Sequence, residues 1–225
     1  EVGWTPRPNE SNKIANLRAS LIEALGNYGD TDVIAGCRGR FAAFLTDPKS
    51  LAPDLRPSVL KIVGRYADDK TWSKLHELGL KTTSIEEKQN YYEALSGATD
   101  PKLMQRALQI ALGDELPTSR ALYIVTRVAR ETGHPEVAWE FAKSHMNELL
   151  AKADALAINS YAPNLFRFFS DGSRVDELRS YAKSNLPAEA KRAVDGAIDE
   201  MTFRSDFKKR LTDEIADWPT KTPRG

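Results

Sequence analysis

An all-α fold built of stacked helix pairs is what this chain predicts, and three observations carry that reading. First, five turns rich in Gly, Asp or Ser each lead straight into an apolar helix start. They are Gly29-Asp30-Thr31-Asp32-Val33, Ala67-Asp68-Asp69-Lys70, Gly97-Ala98-Thr99-Asp100-Pro101, Thr132-Gly133-His134-Pro135 and Asp171-Gly172-Ser173-Arg174-Val175. They recur every 32 to 38 residues, the period of a unit made of two helices and two short turns. Second, between the junctions the apolar residues return at helical spacing. Third, no segment alternates apolar and polar residues with the period of two that a strand needs. A helix pair cannot bury its apolar face alone, so the repeat predicts a right-handed α-solenoid of HEAT-like, or armadillo-like, antiparallel pairs.

Each element follows in order. Residues 1–10, with Pro6, Pro8 and Asn9, predict an entry strap, and residues 11–218 a single helical repeat domain. In the first helix Ile14, Leu17, Leu21, Ile22 and Leu25 mark one face, and Gly26 and Gly29 end it. Asp30 caps a second, which turns Val33, Ile34, Cys37, Phe41 and Leu45 inward until Pro48 stops it. The third follows Pro53 and uses Leu55, Val59, Ile62, Val63 and Tyr66, whereas the fourth uses Trp72, Leu75 and Leu78. Ser84-Ile85-Glu86-Glu87 fits a capping box, so the fifth runs over 85–96. Asp100 as N-cap and Pro101 at the first helical position open the sixth.

Pro117 opens a seventh helix. Pro135 opens an eighth that carries Val137, Trp139, Phe141, Met146, Leu149 and Leu150 as one element, apolar around more than half its girth. A ninth covers 159–169, where Pro163 must lie in the first turn or break the helix, and Ser173 starts a tenth. After Pro187 the amphipathic stretch with Val194, Ile198, Met201, Phe207, Leu211 and Ile215 reads as two helices jointed near Phe203 to Ser205. Residues 219–225 read as a tail.

Composition narrows the function classes. Thirty-two basic and thirty-two acidic side chains cancel, so no global field draws the chain to nucleic acid or an anionic membrane surface. No apolar run reaches the ~18 residues that span a bilayer. The start, Glu1-Val2-Gly3-Trp4, has no initiator Met and no leader pattern, so a piece of a longer or processed protein is expected. Cys37 is the lone cysteine and falls among Ile34, Phe41 and Phe44, the place of a small buried hydrophobe.

The chemical inventory is sparse. A zinc protease helix needs two His one turn apart with Glu beside the first; His76-Glu77 begins that pattern, but Leu80 stands where the second His belongs. His145 falls between Phe141 and Leu149 on an apolar stripe and reads as half-buried packing. No catalytic residue, metal site or cofactor is assigned to this chain. One polar constellation is a candidate for binding peptide: Arg120, Tyr123 and Arg127 fall within about 60° of one another on the seventh helix, with Arg130 at the edge and Leu122, Val125 and Ala129 opposite. Guanidiniums beside a phenol can fork a carboxylate.

A wider pattern then appears. Gly3-Trp4, Glu10 and Leu17-Arg18 precede Phe44-Leu45 and Asp54-Leu55-Arg56. Further on come the segment from Asp100-Pro101-Lys102-Leu103-Met104 to Leu108 and the segment Gly133-His134-Pro135-Glu136-Val137-Ala138-Trp139-Glu140-Phe141. Together these resemble the C-terminal helical domain of zinc aminopeptidases of the aminopeptidase N type, over about residues 3 to 218. The puromycin-sensitive and endoplasmic reticulum aminopeptidases carry such a domain. The chain departs from the family at Ser119-Arg120, where Gln-Asp is frequent, at His145-Met146, where Asn-Trp is usual, and at Phe207, where Trp is common.

The resemblance implies a domain, shortened at its first helices, from a bacterial-looking enzyme. It implies that zinc and the residues holding the substrate amine belong to the parent's catalytic domain. This chain's partners would be that domain and the peptide, with self-association through its N-terminal helices. The residues alone leave a second reading open, a free-standing HEAT-like module that binds a protein or peptide.

Overall fold

The computed structural model describes residues 2–5, 7–154 and 157–221, and among them every regular element is helical. The all-α class is therefore shown. The helices are α1 (Asn12–Asn27), α2 (Thr31–Thr46), α3 (Arg56–Arg65), α4 (Asp69–Lys81), α5 (Ile85–Ser96), α6 (Pro101–Ile110), α7 (Thr118–Glu131), α8 (Pro135–Ser144), α9 (Met146–Leu150), α10 (Tyr161–Phe166), α11 (Val175–Asn185) and α12 (Lys191–Lys221). They fall into two compact units, residues 1–110 and 111–225.

The helix starts are chemical. Asp30 accepts from Val33 N at 2.9 Å, Asp68 from Thr71 N at 2.7 Å, and Asp100 from Lys102 N at 2.8 Å. Each oxygen satisfies an N–H that the first turn would otherwise leave orphaned. Ser84 accepts from Glu87 N at 3.3 Å, but the return arm of the expected capping box is missing. The Glu87 carboxylate takes the Thr82 hydroxyl at 2.8 Å, and Ser84 N turns to the same hydroxyl. At the end of α1, Gly29 adopts φ +85, the left-handed turn that closes helices where a side chain would clash.

In the first unit α3 packs on α1, α2 and α5, while α4 packs on α5. The α3–α5 contact is backbone against backbone: a Cβ on Gly64 would sit 2.2 Å from the Ala94 carbonyl oxygen. Around that seam Leu60, Ile62, Val63, Trp72, Leu75 and Leu95 are buried, with Trp72 Nε1 donating to Leu95 O at 3.2 Å. The entry strap is tied down by Arg18, which pairs with Glu10 and donates to the Gly3 carbonyl at 2.9 Å. Trp4 lies under the Arg40 guanidinium, 3.8 Å from it. Pro6 lies outside the described residues.

The apolar face expected on α1 is only partly used. Ile22 is buried, but Ile14, Leu17, Leu21 and Leu25 remain 38–45% exposed. The face is split because α1 meets α3 along Arg18, Ile22 and Gly26.

In the second unit α8 packs on α7 and α10, and α12 lies on α10 and α11. The helix expected to run from Pro135 to Leu150 breaks at His145, which has φ −122 and ψ 24. Ser144 Oγ donates back to the Glu140 carbonyl at 2.9 Å, a bond that bends helices, and His145 N is shared between Phe141 O and Ala142 O. The joint expected at 203–205 is absent. α12 is one continuous helix of 31 residues, supported by i,i+4 pairs such as Lys191–Asp195 and Arg204–Glu200. It extends through the first residues of the expected tail, and residues 222–225 lie outside the described residues.

Candidate functional site

α7 holds the predicted polar constellation, but not in the arrangement its spacing suggested. Its buried residues are Ala121, Leu122, Ile124, Val125, Arg127, Val128 and Ala129, so packing covers more than half of its circumference. Arg127, at the edge of the polar arc next to Ile124, is drawn in and is only 5% exposed. Arg120 is exposed. Tyr123 stands between two cations, with Arg127 5.8 Å and Arg130 5.5 Å from its ring. Arg130 donates to the Tyr123 hydroxyl at 3.0 Å and to Glu131 at 2.9 Å.

The pair flanking the phenol is thus Arg127 and Arg130. Arg120 stands apart from it on the open side of the helix. Burial lowers the pKa of Arg130, and the bonds to Tyr123 and Glu131 outweigh it, leaving it above the ordinary value. The arrangement offers an exposed phenol edge beside the exposed Arg130, with Arg127 buried behind it.

The first unit carries a groove of about 820 Å³ that sequence reasoning did not single out. It is lined by Phe41, Leu45 and Val63 together with Arg38, Lys74 and Glu77. Glu77 is held by Lys81 and Lys74, which bring its carboxyl down to about 2. The one usable signal was the row Lys74, Glu77, Lys81 at helical spacing on α4.

The other sequence candidates take packing positions. His76 is half-buried, its ring 5.2 Å from Trp72 and 6.0 Å from Tyr92. His145 Nδ1 is 2.9 Å from Glu148, with its ring 4.7 Å from Phe141. Cys37 is buried, which pushes its thiol up to about 11. Among the described residues no three His, Cys, Asp or Glu side chains gather where a metal could sit.

Trp139 is the anchor of the second unit. It is fully buried, meets Phe166 at 4.6 Å and Tyr181 at 5.0 Å edge-on, and donates to Glu177 at 2.8 Å. Burial pushes the Glu177 carboxyl up, and the bonds from Trp139 and Arg174 bring it below its usual value.

The model of the ERAP1-like C-terminal domain matches residues 1–202. The chain belongs to that family. Aminopeptidase M1 of Arabidopsis thaliana is 31% identical over 146 residues, 63% of this chain and 16% of the relative. Aminopeptidase M1-B of Oryza sativa subsp. japonica is 23% identical over 219 residues, 95% of this chain and 25% of the relative. The thyrotropin-releasing hormone-degrading ectoenzyme of Mus musculus is 26% identical over 235 residues, all of this chain and 22% of the relative. The chain spans a quarter or less of the length of these relatives, which are plant and mammalian. The shared domain contains the Trp139 anchor and the Arg18 clamp, both within residues 1–202.

Proposed function

We propose that this chain is the C-terminal helical domain of a zinc aminopeptidase, and that it closes the catalytic chamber and contacts peptide substrate without a catalytic site of its own. The observation that carries this reading is the family match over residues 1–202, with aminopeptidases among the relatives. Zinc belongs, in this proposal, to the parent's catalytic domain. The right-handed solenoid of HEAT-like pairs is part of the same proposal, and the row of α1, α3 and α5 with α2 and α4 packed on it supports stacking in the first unit.

The contact is assigned to α7. Arg120 supplies an open guanidinium, Tyr123 the phenol edge, and Arg127 holds the Tyr123 ring from the buried side. In the complete enzyme, Arg120→Glu should weaken peptides of eight or more residues and leave dipeptide-sized substrates unchanged. A loss of about tenfold in kcat/KM on the long substrates corresponds to one charge-assisted contact. Equal effects on both lengths remove the assignment. Arg127→Glu is the wrong probe, since it would bury a new carboxylate beside α7's core.

A further inference from the structure

Arg167 follows the last residue of α10 and is half-buried. Its Nε is sealed from solvent with no hydrogen-bond partner, and the side chain has no ion pair among the described residues. A buried N–H of a guanidinium without an acceptor is costly, because desolvation is not repaid. The side chain lines a groove of about 980 Å³ between the start of α10 and the first turns of α12.

A second observation points to the same place. Gly196 is inside α12, where glycine is about 1 kcal/mol worse than alanine. A Cβ there would stand 3.1 Å from Arg167 Nη2, so the bare backbone is what gives the guanidinium its seat. The glycine lets the guanidinium lie against the α12 backbone where the two helices pack. A ligand that neutralises Arg167 would supply the acceptor its position lacks.

The walls define the ligand. The amides of Asn159 and Asn164 offer donors, and Arg192 adds a second positive charge at the rim. Asp195 is taken by Lys191 at 2.6 Å. Glu189 and Asp199 also line the groove and disfavour a dianion. A planar monoanion suits one guanidinium fork flanked by amide donors better than a phosphate does.

We infer that the groove around Arg167 and Gly196 is a binding site for a carboxylate, carried by a small organic acid or by a peptide C-terminus. It is independent of the α7 contact and would survive the failure of that assignment.

The test is calorimetric titration of the 225-residue chain with N-acetylglycine, propionate, N-acetylglycinamide and inorganic phosphate. Saturable binding of N-acetylglycine near 1 mM or tighter, with none of the amide, is expected. Preference for propionate would identify a free acid as the source, and preference for N-acetylglycine a peptide terminus. Arg167→Gln should weaken binding at least about tenfold. Gly196→Ala should also weaken it while leaving Tm unchanged or raised, an outcome a purely structural glycine would not give. Should Arg167→Gln fail to fold, Gly196→Ala and Asn164→Asp decide, and both must weaken binding. Equal binding of acid and amide, no response to these variants, or tighter binding of phosphate overturns the assignment.

Discussion

Glu10 and Arg18 close a two-armed ion pair, Nη1 to Oε1 and Nη2 to Oε2 both at 2.6 Å, with the arginine 1% and the glutamate 9% exposed. Both residues belong to the pattern that first suggested the family, and the structure gives the reason. The pair fastens the strap to α1 while Nε of the same guanidinium holds the Gly3 carbonyl.

This pair sets an acid limit on the strap. The bond from Arg18 holds the Glu10 carboxyl below its ordinary value of 4.5. The folded pKa lies below the unfolded one, so the contribution is fully present above pH 4.5 and fades as pH falls through the folded value. The NMR signals of Gly3 and Trp4 should shift toward those of an unstructured chain in that acid range. Glu10→Gln should give the shifted signals already at neutral pH and remove their titration.

Trp139 should be the most costly single truncation in the second unit. Trp139→Ala removes a fully buried ring and should destabilise by about 3–5 kcal/mol. Trp139→Phe keeps most of the packing but loses the bond to Glu177, for about 1–3 kcal/mol. Urea unfolding followed by circular dichroism distinguishes these values.

Two glycines should respond in opposite directions. Gly64→Ala forces a Cβ onto the Ala94 carbonyl and should cost about 1–3 kcal/mol or more. Gly39→Ala, inside α2 with nothing within 4 Å of its Cβ, should stabilise by about 0.5–1 kcal/mol. Thermal unfolding of the two variants side by side checks the sign of each.

Self-association is expected through α1, whose Ile14, Leu17, Leu21 and Leu25 form an uncovered apolar row. Sedimentation should show weight-average mass rising with concentration, and Leu17→Glu with Leu21→Glu should abolish the rise. A monodisperse monomer at high concentration for the unaltered chain removes this expectation.

Local chemistry was legible in the sequence, and tertiary choices were not. Ile85–Ser96 could be bounded because Ser84 and Gly97 are the cap residues, and Asp100-Pro101 marks its helix start unambiguously. The break at His145 depends on a Ser144 back-bond that apolar spacing does not reveal. Arg127 was placed on the wet side because periodicity gives angles, not the width of the buried arc. The groove at Arg167 joins residues on α10 and α12 nearly thirty positions apart, and no local pattern links them.

One consequence concerns the far part of α12. From residue 206 to 216 every side chain is exposed, including Phe207, Leu211 and Ile215. Among the described residues that stretch buries no side chain, and a free helix of this length is marginal in water. It is held to the packed turns of α12 at one end only, so apolar cover on Phe207, Leu211 and Ile215 would add to its order. The end of the helix would then report, by its own degree of winding, whether a neighbour has arrived.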